Sequence, residues 1–226
     1  MARYWQPNYG NIFANVGPLL GRVGIRPWLE LDFKERFPES NLWVFSHWES
    51  FSQKVKAELS KIGINSIESE AELLHNFLQL FSICPVKGGK KGKAWRPSRP
   101  EILQSFLLHV QDMSAFPKEL DRITKTALKY GSTVQSFPLL VGRTLTELRS
   151  FYVVIDDSPI SVESVLRALE VTFKSYFALH CEYPLESRRQ WTVLQKTLFQ
   201  LDIPSDKVNP IANLPEVKRL IKILKY

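Results

Sequence analysis

Apolar side chains return at three- and four-residue steps along most of this chain, the period of helices with one buried face. Phe51, Val55, Leu59 and Ile62 form the first stripe, in a helix starting near residue 46, and Gly63 supplies its stop. Leu73, Leu74, Phe77, Leu78 and Phe81 form a second, beginning near Ser66 or Ser69 and closed by Pro85. Ser98-Arg99-Pro100-Glu101 reads as a capping box with proline in the first turn, opening a helix through Ile102, Leu103, Phe106, Leu107 and Val110. Pro117 opens another, with Leu120, Ile123, Thr124, Ala127 and Leu128 inward and Gly131 at its end. Residues 46–131 therefore predict two helical hairpins.

The period changes after residue 132. Residues 137–141 and 151–155 are short apolar runs rich in branched and aromatic residues, which predicts two paired strands. Asp156-Asp157-Ser158-Pro159 reads as a turn, and Ser161 as the cap of a helix through Val162, Val165, Leu166, Leu169, Phe173, Tyr176 and Phe177, ending before Pro184. Further helices carry Trp191, Leu194, Leu198 and Leu201, and then Val217, Leu220, Ile221 and Leu224 after Pro215. Residues 1–45 show no sustained period. They are aromatic and broken by Pro7, Gly10, Gly17, Pro18, Gly21, Gly24, Pro27 and Pro38, with 28–32 and 41–45 as the strand candidates.

The pattern predicts an α+β protein, dominated by helices, with a small antiparallel β element. It divides as an aromatic, turn-rich segment 1–45, a helical region 46–131 with a basic loop at 86–99, and a β-hairpin plus helices at 132–226, the three readable as one continuous globular domain. Hydrophobic residues make up 44% of the 226, enough to fill a core and too many for a disordered chain. No apolar run reaches the roughly 20 residues of a membrane span, and residues 1–5 lack the hydrophobic core of an export signal. With only two cysteines, Cys84 and Cys181, an intracellular setting is expected, nuclear or cytoplasmic, with no membrane partner.

Charge sharpens the picture. Residues 87–99 carry Lys87, Lys90, Lys91, Lys93, Arg96 and Arg99, no acid, three glycines and Trp95, so they hold nearly all of the chain's net +7. A cationic glycine-rich loop suits phosphate contact, with Trp95 stacking on a base. Lys218, Arg219, Lys222 and Lys225 on the last helix form a second basic group off its apolar face. That helix is short enough to need a docking surface, on its own chain, on a partner protein or on a second copy.

Residues 173–184, Phe173-Lys174-Ser175-Tyr176-Phe177-Ala178-Leu179-His180-Cys181-Glu182-Tyr183-Pro184, continue to Trp191, Leu194-Gln195-Lys196 and Phe199. With the strand that precedes them, they resemble a group of animal proteins that occur as many divergent copies and are associated with mobile elements. The resemblance covers about residues 137–202 and rests on hydrophobic and aromatic spacing. It implies a nucleic-acid-related setting and carries over no activity and no site residue.

Catalytic readings fare less well. The basic loop has Gly92-Lys93 but Ala94 where a phosphate-binding P-loop needs Ser or Thr, and Lys87 where it needs its first glycine. Gly17, Gly21 and Gly24 do not fit the dinucleotide fingerprint. His47, His75, His109 and His180 show no metal-ligand spacing, and no nucleophile elbow occurs. Asp156 and Asp157 at a strand end, with Glu163 or with Glu30, Asp32 and Glu35, are the remaining candidates for a Mg²⁺ site. Three functions follow in order: a non-enzymatic nucleic-acid-binding protein without cofactor, a protein–protein interaction or assembly module whose basic loop is incidental or an import signal, and a Mg²⁺-dependent nuclease.

Overall fold

The computed structural model describes residues 25–38, 43–88, 92–203 and 209–225, with the backbone alone for Ile25 and Trp43. Its first helix, α1 (Ile25–Arg36), stands where a strand was expected at 28–32. The alternation Trp28-Leu29-Glu30-Leu31-Asp32 suggests a strand, but Trp28 and Leu31 are 41% and 56% exposed while Leu29 and Phe33, four apart, are buried. Arg26–Glu30 and Asp32–Arg36 add ion pairs at the same helical spacing, each 3.1 Å. Helix α2 (Trp43–Ser60) likewise absorbs 43–45 of the second expected strand; residues 41 and 42 lie outside the described residues. Val44, Phe51, Val55 and Leu59 line its buried face, and Gly63 follows at φ 85°.

Ser69 caps α3 (Glu70–Phe77) by accepting from the Glu72 N–H at 3.1 Å. A 3₁₀ turn, Leu78–Leu80, leads to a short antiparallel pair, β1 (Val86–Lys87) and β2 (Ala94–Trp95). The capping box at Ser98 and Glu101 opens α4 (Arg99–Phe106) as expected. That helix stops four residues early. Leu107 is extended, and β3 (Leu108–Val110) pairs in parallel with residues 139–141. Residues 102–110 fit both periods; strand pairing decides between them, burying Leu108 and Val110 on the sheet.

Helix α5 (Phe116–Tyr130) ends at Gly131 in the left-handed conformation. Leu128, expected inward, is 71% exposed. Strands β4 (Phe137–Gly142) and β5 (Leu148–Ile155) pair antiparallel as predicted, and a third, β6 (Ser158–Val162), was missed. The four-stranded sheet runs β3-β4-β5-β6. Asp156 and Asp157, at φ 48° and 60°, make the two-residue turn between β5 and β6. Pro159 stands opposite Val154 in β6, one position beyond the pair that closes the turn. There a backbone N–H would point to the open edge, so proline removes no ladder bond.

Because β6 takes residues 158–162, helix α6 (Val165–Ala178) starts later than expected and its cap is Ser164, not Ser161. It crosses β4 and β5 and packs against α1. Phe173 is fully buried, stacked on Phe199 at 3.7 Å, while Phe177 is half-buried between Phe33 and Phe37. The Tyr176 hydroxyl donates to the Ser136 carbonyl at 2.6 Å. Helix α7 (Arg188–Thr197) is buried along most of its length, and α8 (Pro215–Leu224) packs on α7 and α2. One hydrophobic cluster joins Phe33, Phe51, Phe77, Phe106, Phe173, Trp191 and Leu220, drawing on every one of these helices except α5. Among the described residues, no helix is long and apolar enough to cross a membrane.

Candidate nucleic-acid interface

The basic segment is built on a two-stranded hairpin whose base is locked to the end of α5. Val86 pairs with Trp95 and Lys87 with Ala94. The Trp95 ring lies on the Tyr130 ring at 4.4 Å and an interplanar angle of 8°. Trp95 is therefore 7% exposed and held by its own chain, where a base-stacking platform was expected. Gly88 is buried against the carbonyls of Tyr130 and Gly131, and Gly92 meets Gly88 so closely that a side chain there has no room.

The six cations of this segment divide by role. Lys87 and Lys93 are exposed on the two sides of the hairpin. Arg96 donates to the Ile83 carbonyl at 3.2 Å and Arg99 to the Leu78 carbonyl at 2.7 Å, so both guanidinium groups bind the chain that precedes the hairpin. Lys90 and Lys91 lie outside the described residues. Sequence reasoning missed Lys129. It is exposed in the last turn of α5, with Nζ 5.1 Å from the centre of the Tyr130 ring that carries Trp95. Its signal was Gly131: a helix stop places the two preceding residues at the negative end of the dipole, where a cation is favoured.

The last helix docks on its own chain through Val217, Leu220 and Leu224. Of its basic residues, Arg219 pairs with Glu58 at 3.4 Å and Lys225 approaches Asp202 at 4.0 Å. Lys218 and Lys222 are exposed. Its N-terminal end is tied to the approach to the hairpin. Glu216 accepts from the Ser82 N–H at 2.8 Å and pairs with Arg189 at 2.5 Å, and Arg189 also binds the Ser82 carbonyl.

Three of the carboxylates weighed as metal ligands are paired with arginines, and the other three are exposed. Glu163 pairs with Arg26 at 2.7 Å, and that ion pair holds its carboxyl below the usual range. Glu30 pairs with Arg26 and Arg167, Asp32 with Arg36, and Glu35 is exposed on α1. Asp156 and Asp157 stand in the exposed β5–β6 turn. Among the described residues, no three His, Cys, Asp or Glu side chains are grouped as a metal ion would require. Burial, and then the nearby His109, hold the His75 imidazole below its usual range, while His109 Nε2 lies 2.9 Å from the Gly142 carbonyl. The chain matches no protein-family model, no curated protein and no solved structure.

Proposed function

We propose that this chain is a non-enzymatic nucleic-acid-binding protein whose phosphate-contacting face is the 86–99 hairpin together with the end of α5. The observation that carries the reading is the anchored hairpin. The Trp95–Tyr130 stack fixes its base, and Lys87, Lys93 and Lys129 stand exposed around it, with Lys90 and Lys91 between them in sequence. Fixed cations on a rigid support bind phosphate with less ordering cost than the same cations on a free linker. Arg96 and Arg99 act as positioning residues for the hairpin rather than as phosphate contacts. The resemblance of residues 137–202 to mobile-element-associated proteins belongs with the same reading.

Fluorescence anisotropy with a labelled single strand of about 16 nucleotides tests it. At low salt, Lys87→Glu with Lys93→Glu weakens binding about tenfold or more, because two contacts become repulsions. Lys218→Glu with Lys222→Glu has a smaller effect. The opposite order places the contact on α8, and absence of binding by the unaltered chain overturns the reading.

A further inference from the structure

Beside the C-terminal half of α5, opposite in charge to the hairpin, lies a groove of about 240 Å³. Its floor is apolar: Ala127, Phe137 and Val154 are buried there. One rim is Leu128, 71% exposed. The other is the β5–β6 turn with Asp156 and Asp157, and no lysine, arginine or histidine lines the groove. The negative end of the α5 dipole lies at the same place. Sign alone turns away a polyanion, and the volume falls below the roughly 300–1,000 Å³ of small-molecule sites. It matches one long side chain with an aliphatic stem and a cationic head.

We propose that this groove docks a segment of a protein partner that carries an arginine next to an apolar residue. The guanidinium lies between the Asp156 and Asp157 carboxylates, where its planar fork suits paired oxygens better than a lysine does. The arginine stem crosses the apolar floor, and the apolar neighbour covers the exposed Leu128. This site is separate from the hairpin, and a partner seated in it adjoins bound nucleic acid through α5.

An NMR titration of the full chain with the peptides acetyl-Gly-Arg-Leu-Gly-amide and acetyl-Gly-Glu-Leu-Gly-amide tests the proposal. The arginine peptide shifts amides of 124–137 and 154–157 saturably and binds about tenfold or more tighter than the glutamate peptide. Asp156→Asn with Asp157→Asn removes that preference. Asparagine tolerates the positive φ of both positions, so the turn survives. Leu128→Arg, on an exposed position, blocks the groove independently. Equal affinity for the two peptides, or an arginine peptide indifferent to both variants, overturns the proposal. So does concentration-dependent self-association abolished by the Asn variant, which makes a second copy the occupant. Oligonucleotide binding is unchanged in the Asn variant; its loss contradicts the separation of the two sites, whereas failure of the peptide arm alone leaves the hairpin reading intact.

Discussion

A Cβ on Gly88 would lie 2.7 Å from the Tyr130 carbonyl oxygen and 3.0 Å from that of Gly131. Both are backbone atoms at a helix end and cannot rotate away, so Gly88→Ala is expected to destabilise the protein by about 1–3 kcal/mol and to loosen the Trp95–Tyr130 stack. Chemical denaturation together with the fluorescence of Trp95 checks this; an alanine variant as stable as the parent contradicts the close approach. A second residue-scale test concerns Glu186. Burial, reinforced by Glu101, holds its carboxyl above the ordinary value of 4.5. The folded chain thus binds this proton more tightly than the unfolded chain, and its stability falls as pH rises through that window. Glu186→Gln removes the charge, so the variant is more stable than the parent at neutral pH, and the difference disappears below about pH 4. Thermal melts at two pH values decide it, and an equal difference at both contradicts the burial. At this scale the sequence was legible where a side chain has one chemical use, as at Ser98, Glu101 and Gly131. It was not legible for Trp95, Arg96 and Arg99. Their partners, Tyr130, the Ile83 carbonyl and the Leu78 carbonyl, are chosen by folding rather than by neighbours in the chain.

Helix boundaries show what periodicity can and cannot carry. Where an apolar stripe is unambiguous, as in α2, α3 and α6, the element was found; its end was found where a glycine marks it, whereas Pro85 and Pro184 lie several residues beyond the ends of α3 and α6. The expected strand at 28–32 became α1 because an exposed Leu31 between Leu29 and Phe33 mimics alternation on a helix whose buried face is Leu29 and Phe33. The segment 158–162 was hidden by Pro159, which is tolerated only because β6 is the edge of the sheet. Missing that strand moved the predicted cap of α6 from Ser164 to Ser161. The Ser164 hydroxyl accepts from the Arg167 N–H at 3.1 Å, whereas Ser161 is an exposed strand residue. Ser164→Ala is therefore expected to cost about 1 kcal/mol and Ser161→Ala only a few tenths. Urea unfolding of the two variants measures the difference, and equal losses would return the cap to residue 161. Truncating Phe173 on the same helix should cost about 3–5 kcal/mol, since its ring is wholly buried on Phe199.

On the scale of the whole molecule, several charged side chains serve the fold. Glu170 and Lys174, both buried, pair at 2.8 Å, and Arg167 links Glu170 to Glu30 of α1, a network that ties that helix to α6. Arg189 and Glu216 tie α7 and α8 to the approach to the hairpin. Against that background, Lys87, Lys93 and Lys129 are exposed on and beside a fixed hairpin, with the acid-rimmed groove along the same helix. Composition alone marked the cationic segment, but only packing shows which of its cations are exposed and which bind their own chain. The most direct test is the salt dependence of oligonucleotide binding, compared between the parent and a variant with Lys87, Lys93 and Lys129 all changed to Ala. Three lost phosphate contacts should flatten the log–log slope by about 2 units on a single strand. A slope identical to that of the parent would contradict the account.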